Sequence, residues 1–114
     1  MENSSQSVLA NDKFYHVTIK DYTDSECIDR RMKVREPHLK ELNMLIEKKT
    51  IVFAGALIGK SSSSNTNIMV GSAIVVRADN EANARKILEN DQFAKNDVWD
   101  MSTFEISEIK PVLN

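Results

Sequence analysis

Cysteine is nearly missing from this chain: Cys27 is the only one in 114 residues, so neither an intrachain disulfide nor a multi-cysteine metal site can form. That fits a reducing compartment. Cys27 reads as a buried or half-buried thiol, because a catalytic thiol would want a nearby histidine or a positive helix end. Histidine is scarce too, with only His16 and His38, and the scattered carboxylates show no ligand spacing, so no metal is implied. Neither sign of charge dominates. A net charge of -2 argues against nucleic acid and anionic membranes as partners, since both demand a basic surface, and leaves small molecules or protein. No apolar run approaches the roughly 20 residues needed to span a bilayer. Met1 to Asp12 has no basic start, no long apolar stretch and no arginine, and reads as a disordered cytoplasmic tail before a domain over 13–114.

What the chain does contain is a globular balance, 41% hydrophobic and 28% charged, enough for one modest core. Tyr15, Val17 and Ile19 alternate with Phe14, His16, Thr18 and Lys20, which predicts a first strand over 14–20 with the first three residues inward. Thr23 or Ser25 can cap a short helix carrying Ile28 and Met32 inward and breaking near Arg35. Pro37 then opens a second helix with Leu39, Leu42, Leu45 and Ile46 as its apolar stripe. The apolar runs Ile51 to Ile58 and Met69 to Ala78 read as central strands covered on both faces, joined by a polar, serine-rich loop over 59–67. Asp79 or Asn80 can cap a helix running to about Asn90, Phe93 to Trp99 forms an irregular or short helical piece, and Phe104, Ile106 and Ile109 support a last strand.

That order is β-α-β-β-α-β, a ferredoxin-like α+β layer whose antiparallel sheet carries helices on one face. The other face needs a cover. The simplest is the same face of a second copy, so a homodimer built sheet against sheet is expected.

The residues with chemical promise are few. His38, placed at the first turn of its helix, would have its imidazolium disfavoured by the helix dipole, which suits a general base; it is otherwise a structural or surface histidine. Asp91 either caps the Gln92-Phe93 segment or holds the His38 ring in one tautomer. Trp99, Phe93 and Phe53 either line an apolar pocket or fill the core. Gly71-Ser72 offers close backbone approach and a hydroxyl, or simply a tight start to a strand. Gly55 to Ser61 is not a phosphate loop, because three residues rather than four separate its glycines and no helix follows. Met69 to Arg77 has no aromatic residue with which to stack RNA bases.

The segments Arg31-Met-Lys-Val-Arg35-Glu-Pro37-His38-Leu39, Ala54-Gly55-Ala56, Gly71-Ser72, Asp91-Gln92-Phe93 and Val98-Trp99 resemble, in order and spacing, the YCII-related (YciI-like) family. The resemblance covers about Phe14 to Leu113. It implies a dimeric α/β barrel of two ferredoxin-like subunits in which His38 and Asp91 are the catalytic pair. Two departures touch the pocket rim: Gln92 stands where the family has proline, and Asp97 where it has glycine. A related dehydrochlorinase uses such a pair for proton abstraction and elimination. The implied function is a cofactor-free lyase, isomerase or dehydrochlorinase-like enzyme. In it His38 abstracts a proton next to a carbonyl of a small cyclic or unsaturated acid, Asp91 steadies the imidazolium, and Arg35 or Ser72 binds the anionic oxygen. Phe93 and Trp99 would complete the substrate pocket. The alternative is a non-catalytic metabolite-binding or dimer-scaffold protein in which His38 only donates a hydrogen bond.

Overall fold

The structure is a computed structural model and describes residues 12–61 and 63–112; the expected tail over 1–11 lies outside them. Seven elements follow in the order β1 (Lys13–Asp21), α1 (Cys27–Glu47), β2 (Ile51–Lys60), β3 (Asn67–Ala78), α2 (Glu81–Glu89), α3 (Gln92–Lys95) and β4 (Trp99–Ile109). The strands form one antiparallel sheet in the order β2-β3-β1-β4. This is the expected ferredoxin-like α+β layer.

Period-two alternation sets the faces of the sheet. Tyr15, Val17 and Ile19 of β1 are buried as expected, and they join Ile74 and Val76 of β3, Ile51 of β2 and Trp99 of β4 in one core. Ala84 and Leu88 of α2 and Phe93 of α3 enter the same cluster, so the helices pack on this face. α2 begins where expected, with the Asn80 side chain accepting from the Asn83 amide at 2.8 Å. β2 is an edge strand rather than a central one, because β1 takes the inner place beside β3. Val52, Phe53 and Ile58 are consequently exposed.

α1 is one 21-residue helix with Pro37 inside it, so neither the break near Arg35 nor a second helix opening at Pro37 occurs. Pro37 takes an N–H out of the helical ladder. Its ring is on the exposed side, while Cys27, Arg31, Val34, His38, Leu42 and Leu45 recur every three or four residues toward the interior. That uninterrupted row binds both halves of the helix to the sheet, and packing outweighs the local penalty. It also sets the helical phase. Ile28 and Met32 therefore point outward, 44% and 57% exposed, and Cys27 and Arg31 take the inward places expected of them. Ile46 is exposed as well. The N-cap position is Glu26, whose side chain makes no capping hydrogen bond, so neither Thr23 nor Ser25 plays that part.

Gly71 of β3 pairs with Lys20 of β1 at a close backbone approach. A Cβ at this position would meet the Ile19 carbonyl oxygen well inside van der Waals contact, with Lys20 Cα just behind it. Both are backbone atoms of a central strand and cannot swing away. Gly71→Ala is expected to cost about 1–3 kcal/mol, as overpacking of a rigid site does. A urea denaturation midpoint indistinguishable from wild type would contradict it.

Candidate active site

α1 and α3 bring the expected pair together. Asp91 precedes α3, and its Oδ1 accepts from the Phe93 amide at 2.8 Å, closing the first turn as an N-cap. The same oxygen lies 2.7 Å from Nδ1 of His38 in the middle of α1. Asp91 is thus the cap of α3 and at the same time the neighbour of the His38 ring. The cap fixes the carboxylate, and the fixed carboxylate holds the ring. Both side chains are buried, at 7% and 6% residue exposure for His38 and Asp91. One premise fails: His38 is eleven residues into a continuous helix, so no helix N-terminus acts on its ring.

Aromatic packing fixes the ring further. Phe93 stacks on His38 at 3.7 Å between centroids and 8° between planes, and Trp99 lies perpendicular to both rings, 6.2 and 5.7 Å from their centroids. Trp99 Nε1 donates to Ser72 Oγ at 3.0 Å, which satisfies the indole of a residue only 1% exposed. The Ser72 hydroxyl hydrogen remains available to another acceptor.

A cavity of about 200 Å³ opens against these groups. His38, Phe93, Trp99, Ser72 and the exposed Arg35 all line it, as do Leu39, Leu42, Ala54, Met69 and Ile74. Five of the six expected site residues thus line one cavity, and the sixth, Asp91, stands behind His38. Phe53 is not among the lining residues. It pairs with Val75 on the opposite face of the sheet, because a register shift between Ile51 and Phe53 turns its side chain outward. With Nδ1 committed to Asp91, Nε2 is the nitrogen His38 can offer the cavity.

Sequence reasoning missed Arg31 as a site residue. It lines the cavity at 5% exposure, its guanidinium carbon lies 4.7 Å from the Phe93 ring centroid, and its Nη1 donates to Asp21 Oδ2 at 2.5 Å. The signal was present: Arg31 is seven residues, two turns, before His38 and so on the same helix face, and Asp21 continues the inward series 15, 17, 19. Burial pushes the Asp21 carboxyl above its ordinary range against the opposing pull of Arg31. Burial and the nearby Asp21 charge also raise the Cys27 thiol, which suits an inert packing residue. Among the described residues no cluster of three or more His, Cys, Asp or Glu could hold a metal ion, and no helix is long and apolar enough to cross a membrane.

The YCII-related domain model matches residues 13–112, nearly the whole chain. The chain belongs to the YCII-related family. A relative from Emericella nidulans, the derivative of benzaldehyde biosynthesis cluster protein C, is 28% identical over 85 residues, 73% of this chain and 87% of that protein. Among solved structures, the 5-chloro-2-hydroxyhydroquinone dehydrochlorinase of Burkholderia phenoliruptrix AC1100, in complex with 2,5-dihydroxybenzoquinone, has the same fold. Its TM-score is 0.67 at 22% identity, covering 85% of this chain and 93% of that one.

Family membership makes sense of Asp97. Its φ is 57°, the left-handed region that glycine adopts without cost, and aspartate is among the few other residues that tolerate it. The turn is held from outside: Arg30 donates to the Asp97 carbonyl through Nε at 3.0 Å and Nη2 at 2.9 Å, while also gripping the Asp24 carboxylate. That grip holds the Asp24 pKa down at about 2. Asp97 is thus held in the turn that leads into Val98 and Trp99.

Proposed function

We propose that this YCII-related protein is a cofactor-independent small-molecule enzyme of the lyase or isomerase type, with His38 and Asp91 as its acid/base pair. The observation that carries the reading is the 2.7 Å contact between Asp91 Oδ1 and His38 Nδ1 beside a cavity that His38 lines. Ionised Asp91 selects the tautomer with hydrogen on Nδ1, leaving the Nε2 lone pair to take a proton. The substrate C–H bond next to a carbonyl breaks, its electron pair moves into a new C=C bond, and the carbonyl oxygen becomes an enolate. His38 then returns the proton to another carbon, giving an isomer. In an elimination the enolate instead re-forms the carbonyl and a C=C bond forms toward the neighbouring carbon. The bond from that carbon to its leaving group breaks with the electron pair going to the group, and His38 gives up its proton to that group. Asp91 balances the imidazolium in between. The apolar walls suit a small cyclic or unsaturated acid, with Arg35 at the mouth and the Ser72 hydroxyl inside as donors to its oxygens.

The test is hydrogen–deuterium exchange in D₂O, followed by proton NMR, across a panel of small cyclic and unsaturated oxo acids. Wild type is expected to wash out the acidic C–H of at least one panel member, and His38→Gln to slow this by about 10²–10⁴-fold. Exchange at the wild-type rate in His38→Gln would refute the mechanism.

The assembly we propose is a homodimer closed sheet to sheet. Phe53, Val75, Phe14 and Ile109 share the sheet face turned from the helices, since register pairs Phe53 with Val75 and Phe14 with Ile109. Phe53 is 58% exposed in the single chain, a large apolar surface on the edge strand of that face. Light scattering at micromolar concentration is expected to give twice the 12.9 kDa chain mass. A sharp monomeric mass would exclude the dimer.

A further inference from the structure

We propose that Arg31, rather than Arg35, is the oxyanion-binding residue of the cavity, with Asp21 as the positioning residue that aims it. This rests on the acid/base reading only for the origin of the charge; the anion site itself stands on separate observations.

The cavity contains two guanidinium groups of different character. Arg35 is exposed and makes no ion pair among the described residues, so its flexible side chain stays solvated and its field is screened. Arg31 is 5% exposed and held by two contacts. Its Nη1 donates to Asp21, and its guanidinium lies over the ring of Phe93, on which His38 also stacks. Only Nη1 is used in a hydrogen bond. Nε and Nη2 have no partner among the described residues, yet neither belongs to the buried polar atoms cut off from solvent, which are Asp21 Oδ1 and Arg77 Nη1. Their remaining accessible surface belongs to a residue that lines the cavity. A preorganised, largely desolvated pair of N–H donors facing a reaction cavity is what a developing enolate oxygen requires.

The arrangement also defines the ligand. His38 and Arg31 both pack on the ring of Phe93, and all three line the cavity. A planar molecule of one ring seated there can turn an acidic C–H toward His38 and an oxygen that gains negative charge toward Arg31. The orphan Asp21 Oδ1 gives the guanidinium no second anchor on that side, so the fork is held by one tine and presents the others.

The experiment compares two quinones of the same ring and substitution pattern on the full chain by calorimetric titration: 2,5-dihydroxybenzoquinone, whose oxygens ionise, and 2,5-dimethoxybenzoquinone, two methyl groups larger, whose oxygens cannot. Wild type is expected to prefer the ionised quinone at least tenfold. The double variant Asp21→Asn/Arg31→Met, which removes the pair together, is expected to lose that preference while its affinity for the dimethoxy compound stays within a few-fold. Should the double variant fail to fold, Arg31→Lys carries the test, because its single ammonium is taken up by Asp21 and the preference drops several-fold. Absence of any preference in wild type overturns the proposal. So does a preference that survives Arg31 substitution, or an equal weakening of both quinones, which would mark Arg31 as structural only. His38→Gln separates the two ideas: if it leaves deuterium exchange untouched while the preference still depends on Arg31, the acid/base pair falls and the anion site stands.

Discussion

Asp91→Asn is expected to leave the chain folded and to lower turnover by about 10²–10⁴-fold, the range that proton transfer by a positioned side chain supplies. The asymmetry follows from the two contacts that Oδ1 makes. An asparagine oxygen in that place can still accept from the Phe93 amide, so the N-cap of α3 survives, and from the hydrogen on His38 Nδ1, so the ring keeps its tautomer. An NH₂ there would turn a donor toward the Phe93 donor, which fixes the orientation of the amide. What is lost is the negative charge that balances the imidazolium once His38 has taken up a proton. Long-range ¹⁵N correlation spectra report the tautomer directly. Wild type and variant should both show hydrogen on Nδ1, with His16 unchanged as the internal reference. Full activity in the folded variant would eliminate the Asp91 charge as the partner of the base.

Arg31→Met is expected to destabilise the protein by about 3–5 kcal/mol, the usual consequence of stranding one member of a buried ion pair. Both side chains are almost wholly enclosed, 6% exposed for Arg31 and 7% for Asp21, and Asp21 Oδ1 already lacks a partner. Removing the pair together, in Asp21→Asn/Arg31→Met, should recover most of the loss, because an apolar chain and a neutral amide need no ionic partner. The pH dependence has a definite sign. The folded-state pKa of Asp21 is raised, so between its ordinary and its raised value the folded chain binds more protons than the unfolded chain, and stability falls as pH increases through that interval. Without Arg31 the favourable attraction is gone and the interval widens upward. The single variant should therefore lose least at acidic pH and most at neutral pH, measured by urea denaturation at both. A loss independent of pH, or a double variant no better than the single, would show that Asp21 is not the stranded charge.

These two residues mark where local patterning stops being informative. The inward face of β1 was legible because period-two alternation is a local property, and the same alternation placed Tyr15, Val17 and Ile19 correctly. The Asn80 cap and the β-α-β-β-α-β order were legible for the same reason. α1 was misread at Pro37 because a local rule, that proline ends a helix, met a tertiary fact. The row from Cys27 to Leu45 packs along one face and holds the helix through the missing hydrogen bond. Once the helix is continuous its phase shifts the inward places from Ile28 and Met32 to Cys27 and Arg31. Arg31 thereby becomes part of the cavity wall. A charged residue in the interior is predictable only when its partner is known to be near, and Asp21 is ten residues away on a different element.

By itself the sequence determined the family, the element order, the one-sided pattern of β1 and the candidacy of His38 and Asp91, all of which are carried by neighbouring residues or short spacings. Only the tertiary structure decided that those two side chains touch across 53 residues, that Phe53 leaves the pocket for the open sheet face, and that Arg31 enters the cavity. The physical reason is common to all three. Hydrogen-bond distance, strand register and helical phase are set by packing between elements, and no local pattern encodes the position of the partner.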